Sequence, residues 1–541
     1  MKNFPFRRFS STLLSSTEKE SLTAEPVVSG ILRRRNWNPI PIPHRTIPEP
    51  KGQDLDFVNV AHSHLIHYEW TKLDSLSSGL TAFRVKHLLL KIQKDHVLSL
   101  EFFNWVRSQN PSLHTLETNS IILHILTRHR KFKSAESILR TILASDSINL
   151  PSDLFEAMLY SHRLCNSSAL VFDSLFKTFA HMRKFRNATE TFCRMKDYGF
   201  LPTVESCNAY ISSLLDLRRV DIALGFYREM RRYRISPNVF TLNMVMCAYC
   251  RLGKLDKAAE VFGEMESMGC SPSVVSYNTL ISGYCNKGLL SMAMNLRTLM
   301  GKNGVHPNVI TFNTLINGFC KEGKLHEANR LFSEMKAIKV DPNTVTYNSL
   351  INGYGQEGNS DMGGRLYEEM LRNRVKADIL TYNGLILGLC KEGKTKKAAY
   401  LVKELEKENL VPNASTFSAL IRGQCVRKNS DRAFQLYKSM VRCGCHPNAH
   451  TFEILISSFL KNEDFDGAVQ VMKEMSGRSI VPDLDMFYKL CAELCQSGKE
   501  KLVMLLCSEM EARCLLPKGF NRDKIICSGL NNENKAFRDQ F

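Results

Sequence analysis

A 35-residue periodicity is the feature that most constrains what this 541-residue chain can fold into. Methionine, alanine, glycine and proline each recur in one common phase along most of the sequence. Residue types that keep such a phase predict a tandem-repeat protein, not the three or four ordinary domains that length alone would suggest. The prolines stand at positions 202, 237, 272, 307, 342, 412, 447, 482 and 517, and Ala377 fills the one vacant slot.

Each repeat is predicted to be a pair of antiparallel helices. In residues 309–343, apolar residues fall at helical spacing in two stretches that a Lys-Glu-Gly turn separates. Gly323 can end the first helix, Ala328 allows the two helices to approach closely, and Pro342 marks the following loop. Because one hairpin cannot bury its apolar face alone, we expect an all-α fold, a right-handed superhelical solenoid of tandem 35-residue helix-turn-helix repeats. The first helices would line its concave surface.

The same phase divides the chain into segments. Residues 36–79 are predicted to be a linker or partly ordered segment, 80–150 two divergent repeats, 151–168 an insertion and 519–541 a C-terminal tail. Between them lie ten tandem repeats, at 169–203, 204–238, 239–273, 274–308, 309–343, 344–378, 379–413, 414–448, 449–483 and 484–518.

Charge and the N-terminal composition indicate a partner and a location. The formal net charge of +18 favours binding to a polyanion, most often a nucleic acid. The first seventeen residues hold three basic residues, six serines or threonines and no acid, so residues 1–35 are predicted to be an organelle transit peptide. We expect a mitochondrial address, with the chloroplast and a disordered basic tail as alternatives. No apolar run approaches the roughly 20 residues of a transmembrane helix, so we expect a soluble protein.

The repeat sequences point to a family. The segments VVSYNTLISGYCNKG, VITFNTLINGFCKEG, TVTYNSLINGYGQEG and ILTYNGLILGLCKEG resemble the plant-type pentatricopeptide repeat of the P class. A tetratricopeptide array would have a 34-residue phase instead. The resemblance implies a protein that binds single-stranded RNA of organellar transcripts at one base per repeat, for stabilisation, end definition, splicing or translation. The alternative is a non-catalytic helical-repeat scaffold that binds protein partners.

The resemblance also implies which residues read the bases, namely the fifth and the last residue of each repeat, here called the reading pair. An ionised aspartate only accepts hydrogen bonds, which favours uracil at one pair, and the family's habits favour pyrimidines, cytosine or adenine at the others. The expected site is 5′-YYYYUYA-3′. The seven pairs are Asn208 with Asn238, Asn243 with Ser273, Asn278 with Asn308, Asn313 with Asn343, Asn348 with Asp378, Asn383 with Asn413, and Ser418 with Asn448.

Three outer pairs depart from the family pattern, and the columns have structural alternatives. No base is assigned to Asp173 with Thr203, Glu453 with Asp483, or Tyr488 with Lys518. The asparagines could instead cap helices or join neighbouring repeats. The resemblance implies that apolar residues at the second position sandwich the bases, unless they belong to the core: Val275, Ile310, Val345 and Leu380. Cations at the thirteenth position are expected to bind phosphates, unless they are ordinary solvated residues: Arg251, Lys321, Lys391 and Lys461.

The sequence offers no catalytic motif. Its seventeen cysteines invite a metal or disulfide interpretation, but five share one phase on the apolar side of the first helix, where cysteine behaves as a small hydrophobic residue. The sole His-x-Glu, at residues 67–69, lacks the Pro-Cys-x-x-Cys of a zinc deaminase. We therefore expect no enzymatic activity, no cofactor and no metal. The five cysteines are Cys250, Cys285, Cys320, Cys390 and Cys425.

Overall fold

The computed structural model describes residues 39–43, 47–144, 150–517 and 519–520, divided into two compact units at residues 1–280 and 281–541. All regular secondary structure in these ranges is helical, which confirms the predicted all-α fold of tandem helical hairpins. No helix in the described ranges is long and apolar enough to cross a membrane. The predicted transit peptide lies outside the described residues, as does nearly all of the predicted tail.

The first unit is a series of short helices that pack in sequence order. Three single turns of 3-10 helix, Ser77–Gly79, Pro111–Leu113 and Glu266–Met268, join some of them. Its α-helices are Gln53–Ile66, Trp70–Ser75, Ala82–Lys91, His96–Gln109, Leu116–Arg128, Phe132–Leu143, Leu150–Leu164, Leu170–His181, Phe185–Asp197, Val204–Asp216, Val220–Arg232, Val239–Arg251 and Leu255–Glu264. The helix Val274–Asn286 contains the division between the two units.

The second unit repeats one hairpin with little variation. Most of its helices are 13 residues long, and each first helix begins 35 residues after the one before it. The helices are Leu290–Lys302, Val309–Lys321, Leu325–Ala337, Thr344–Glu357, Ser360–Arg372, Ile379–Lys391, Thr395–Lys407, Ala414–Val426, Ser430–Arg442, Ala449–Lys461, Phe465–Gly477, Leu484–Gln496 and Glu500–Ala512.

The segment predicted to be an insertion is a helix, Leu150–Leu164, that belongs to the core of the first unit. The backbone carbonyl of Met158 accepts a 2.9 Å hydrogen bond from Nε2 of His124. The rings of Phe155 and Phe172 lie 4.9 Å apart between centroids. The segment therefore interrupts the repeat phase without leaving the packed array.

Each hairpin turns through a residue in the left-handed region. Gly323 has φ 69° and Gly358 has φ 73°, values at which a side chain is normally disfavoured. Lys428 and Glu463 adopt φ 56° and 59° at the equivalent positions of later hairpins. The glycine column thus marks a backbone geometry that the array keeps even where glycine is absent.

Two residue columns form the core between the helices. The small residues at the twentieth position and the residues at the twenty-seventh, mostly methionine, are buried. Small side chains at one column let the two helices of a hairpin meet, and methionine fills the remaining space because its unbranched chain adapts to irregular gaps. The first column is Ala223, Ala258, Ala293, Ala328, Gly363, Ala398, Ala433 and Ala468, and the second is Met230, Met265, Met300, Met335, Met370, Leu405, Met440 and Met475.

Two successive first helices in the second unit come unusually close. Elsewhere a cysteine packs on a glycine of the next repeat, as Cys320 does on Gly353 and Cys390 on Gly423. In the helix Thr344–Glu357 the cysteine slot holds Gly355, and a Cβ there would lie 2.4 Å from the backbone oxygen of Gly384. The exchange of cysteine for glycine therefore lets two backbones touch directly.

Candidate functional site

The second unit carries a groove of about 1000 Å³ that runs across its successive first helices. Polar side chains from the fifth and last positions of several repeats lie along it, together with apolar side chains from the second position. Side chains from these separate columns therefore meet on one surface. From the predicted reading pairs, the groove is lined by Asn313, Asn343, Asn348, Asp378, Asn383, Ser418 and Asn448.

The last-position residues cap the following helices. Oδ1 of Asn343 accepts a 3.2 Å hydrogen bond from the backbone N–H of Thr346, and the threonine hydroxyl accepts one from the backbone N–H of Asn343. This reciprocal capping box satisfies donors that a helix start leaves unpaired. The capping role that the sequence left open as an alternative is therefore present. The N-caps of this kind are Asn238, Asn308, Asn343, Asp378 and Asn413. Asn448 caps its helix through its side chain alone.

The two members of four reading pairs are hydrogen-bonded to each other. In each pair, the fifth-position asparagine donates from Nδ2 to the capping oxygen of the last residue, at 2.9 to 3.2 Å. In the last residue of the repeat, one side-chain oxygen accepts both the capping bond and the bond from the fifth-position amide. The other terminal atom of that side chain therefore remains for a ligand. The joined pairs are Asn208 with Asn238, Asn313 with Asn343, Asn348 with Asp378, and Asn383 with Asn413.

Two of the other pairs differ from these four. Ser418 lies 3.1 Å from the hydroxyl of Thr451, while Asn448 caps its helix separately. Oδ1 of Asn243 is buried and has no hydrogen-bond partner among the described residues. Its pair member Ser273 contacts the hydroxyl of Ser276 instead, at 3.3 Å. Asn278 is buried on the helix Val274–Asn286, in the first unit.

The second-position side chains are surface residues, so the alternative that they belong to the core is wrong. Val275, Ile310, Val345 and Leu380 are each between 55% and 61% exposed, and the last three line the groove. Sequence analysis missed Phe240, which occupies the same position in an earlier repeat and is 57% exposed. The repeat phase could have identified Phe240, because it is apolar and lies at the same position as the other four residues.

The thirteenth-position cations have more than one environment. Lys321 lines the groove, and Lys461 is exposed at the end of its helix. Arg251 donates to the backbone oxygen of Leu215 at 2.7 Å, and Lys391 donates to that of Gln356. These last two therefore also cap the preceding first helix, whose final carbonyls lack partners.

A second cation in the groove was not predicted. Arg422 lies at the ninth position and donates to Nε2 of His450 at 2.7 Å, while Nδ1 of the same ring lies 3.2 Å from Glu453. Burial, and then the positive charge of Arg422, lower the pKa of Lys391, while the charge of Glu357 opposes them. No carboxylate lies within 4 Å of either cation among the described residues. Two neighbouring cations without a carboxylate partner form a surface suited to an anion.

The first outer pair is closed to a ligand. The carboxylate of Asp173 is buried and accepts hydrogen bonds from the backbone and hydroxyl of Thr203, at 2.8 and 3.0 Å, and from Ser206 at 2.9 Å. Burial raises its pKa, although these three bonds oppose that effect. Both carboxylate oxygens of Asp173 therefore accept hydrogen bonds from residues at the start of the next hairpin and help to hold the two hairpins together.

The cysteines of the described ranges are free thiols. Burial raises the pKa of Cys285 to about 11 and those of Cys320 and Cys390 to about 12. Thiols this reluctant to ionise are poor nucleophiles and poor metal ligands. Their chemistry is that of small apolar side chains between repeats.

Comparison with known sequences identifies related proteins. The PPR repeat family matches residues 272–321, 307–348, 342–391, 377–426 and 419–461; the pentatricopeptide repeat domain matches 223–287; and the PPR repeat matches 205–235 and 450–480. These overlapping matches span more than half of the chain.

Two curated relatives are mitochondrial pentatricopeptide repeat-containing proteins of Arabidopsis thaliana. One is 69% identical over 189 residues, which is 35% of this chain and 36% of the relative. The other is 29% identical over 184 residues, 33% of this chain and 28% of the relative. The aligned part thus spans about a third of each. The crystal structure of the maize pentatricopeptide repeat protein PPR10 is 17% identical, with a TM-score of 0.48 over 92% of this chain and 79% of that chain.

Proposed function

Because the chain belongs to the pentatricopeptide repeat family, we propose that it is a sequence-specific single-stranded RNA-binding protein. It would act by occupying its site on an organellar transcript, and so stabilise the RNA, define its end, or remodel it for splicing or translation. Such activity needs no catalytic residue and no cofactor.

The observation that carries this proposal is the alignment of three fifth-position asparagines in one groove. Asn313, Asn348 and Asn383 are 35 residues apart in sequence, and each is joined to the last residue of its own repeat. Exposed aliphatic side chains at the second position separate them, which suits contact with the faces of successive bases. Lys321 and Arg422, which also line the groove, are suited to the phosphates between those bases.

The free atoms of the pairs support a preference for pyrimidines. Where the last residue is asparagine, its remaining Nδ2 offers donors to a base edge; where it is Asp378, the remaining oxygen offers only an acceptor. Uracil carries a donor at N3 and cytosine an acceptor there, so the two kinds of pair favour different bases. We therefore retain 5′-YYYYUYA-3′ as the proposed site for residues 204–448.

A selection from a randomised RNA pool tests the site directly. Full-length protein should enrich sequences that contain a run of pyrimidines with uracil at the fifth base and adenine at the seventh. Enrichment of purine-rich sequences would reject the proposed pairs. A protein that enriches nothing, but retains a protein partner on a column, would instead be a scaffold.

The cellular part of the proposal is separate. We propose a mitochondrial location, supported by the basic, acid-free N-terminus and by the mitochondrial relatives. Crosslinking the protein to RNA in intact plant cells and sequencing the bound RNA would identify the transcript and the organelle together. Recovery of chloroplast transcripts would correct the location and leave the RNA-binding proposal intact.

A further inference from the structure

A buried hydroxyl stands behind each joined reading pair. It belongs to the third residue of the following repeat, which is threonine, and all four threonines are fully buried. Those in the second unit do not line the groove, so a ligand there would meet the asparagines first. Each hydroxyl lies 2.6 or 2.7 Å from Oδ1 of the fifth-position asparagine: Thr241 from Asn208, Thr346 from Asn313, Thr381 from Asn348, and Thr416 from Asn383.

The distances decide where the single hydroxyl proton goes. The Thr416 oxygen accepts the backbone N–H of Asn413 at 3.1 Å, so its own proton is free to be donated. One candidate acceptor is Oδ1 of Asn383 at 2.6 Å, and the other is Oδ1 of Asn413 at 3.2 Å. Ordinary O–H···O bonds lie near 2.7 to 2.8 Å, so the nearer oxygen, that of Asn383, is the acceptor.

The fifth-position amide is therefore held at both ends. Its oxygen accepts from Thr416, and its nitrogen donates one hydrogen to Asn413. If the amide of Asn383 rotated by half a turn, its oxygen would face the oxygen of Asn413, and the lone pairs would repel each other. The second hydrogen of Nδ2 is the amide donor that remains for a ligand.

We infer that the buried third-position hydroxyl is a positioning residue that fixes which end of the fifth-position amide meets the base. This inference rests on the proposed RNA binding. Without the hydroxyl, the amide oxygen becomes an open acceptor and the side chain regains rotational freedom. The same two residues of the reading pair would then discriminate less between bases.

One repeat of this chain lacks the arrangement. After the pair Asn243 and Ser273, the third residue of the next repeat is Ser276, whose hydroxyl accepts a 3.1 Å hydrogen bond from the backbone N–H of Ser273. Oδ1 of Asn243 has no partner among the described residues, so the Ser276 hydroxyl does not donate to it. Serine lacks the methyl group that restricts the threonine rotamer. Asn243 should therefore be the least selective of these asparagines.

Substitution of Thr416→Val in the full chain removes one such hydroxyl. Affinities would be measured for four RNAs that differ only at the sixth base of the proposed site. The preference for pyrimidine over purine should fall about threefold to tenfold, the worth of one net hydrogen bond. The matched control is Asn429→Ala, which removes a capping bond to Arg432 in the next helix and touches no reading pair. It should lower stability similarly and leave the preference unchanged.

The opposite substitution, Ser276→Thr, should give Asn243 the missing donor and raise the selectivity at the second base about threefold. The Ser276→Thr variant tests the inference even if the Thr416→Val variant does not fold. A folded Thr416→Val protein with unaltered base preference, or a Ser276→Thr protein with unaltered preference, would overturn the inference. If the unmodified chain binds none of these RNAs, the proposed function fails and the inference fails with it.

Discussion

The amide nitrogen of Asn348 lies 2.9 Å from Oδ1 of Asp378, the residue that caps the helix Ile379–Lys391. That oxygen also accepts from the backbone N–H groups of Leu380 and Thr381, at 2.9 and 3.0 Å. The second carboxylate oxygen takes no part in these bonds. At the equivalent position, Asn343 and Asn413 carry an amide nitrogen instead, so one terminal atom distinguishes the pairs.

Substitution of Asp378→Asn should therefore change one base preference. The variant exchanges an acceptor for donors while keeping the cap, so we expect the preference for uracil over cytosine at the fifth base to fall about tenfold, with a smaller effect on overall affinity. Fluorescence anisotropy with two RNAs that differ only at that base measures it. Asp341→Asn, an exposed loop substitution with the same charge change, is the control. An equal loss of preference in both variants would contradict the assignment.

Phosphate binding should depend on the cation pair of Lys391 and Arg422. Because the charge of Arg422 lowers the pKa of Lys391, against an opposing effect of Glu357, an RNA phosphate would relieve the repulsion between the two cations. Lys391→Gln should weaken binding to all sequences alike and reduce the slope of log affinity against log salt by about 0.7. Titrations at several salt concentrations give this slope. Lys396→Gln, on the second helix of the same hairpin, should leave it unchanged; a shift in base preference would argue against a phosphate role.

The repeat phase predicted the fold well because the chain repeats one helical hairpin. The residues that shape a hairpin, such as Ala328 in its core and Gly323 at its turn, lie within the 35 residues of one repeat. The helix Leu150–Leu164 was harder to predict, because its place depends on contacts with residues outside the periodic pattern, such as Phe172. The 35-residue periodicity cannot predict the structure of a segment that does not follow it.

For the candidate site, the sequence predicted which repeat positions take part but not the hydrogen bonds between them. The resemblance to the pentatricopeptide repeat implied that Asn348 and Asp378 belong together, but not that an oxygen of Asp378 would be shared between capping and the amide. The third-position threonine column was visible in the sequence, yet its distance to the preceding asparagine depends on how two repeats stack. Arg422 escaped notice because the ninth position is neutral in every other repeat between residues 204 and 518.

Close backbone contact should make Gly355 intolerant of any side chain. A Cβ at this position would lie 2.4 Å from the backbone oxygen of Gly384, which cannot move without displacing its helix. We expect Gly355→Ala to destabilise the chain by roughly 2 to 4 kcal/mol, as overpacking against a backbone does. Gly364→Ala, in the open on the next helix, should stabilise it by about 0.5 to 1 kcal/mol. Urea denaturation followed by circular dichroism compares them, and similar midpoints would show that the two helices can separate at no cost.

Acid should destabilise the first unit through His124. Its Nε2–H donates to the carbonyl of Met158, and burial lowers its pKa to about 3, with a smaller effect from the nearby ring of His162. As pH falls below about 6.5, the unfolded chain binds a proton that the folded chain refuses until about pH 3. Stability is therefore fully present above pH 6.5 and is lost through this window, by up to about 1.4 kcal/mol per pH unit.

Replacing His124→Gln isolates that contribution, because glutamine can still donate to Met158 but does not titrate. Between pH 7.5 and pH 5, the urea midpoint should fall less steeply in this variant than in the unmodified chain. His326→Gln removes a histidine whose side chain is 94% exposed, and should leave the slope unaltered. If His124→Gln follows the unmodified chain at every pH, the acid sensitivity must come from other buried rings. His114 would be the next to replace, since burial lowers its pKa to about 4.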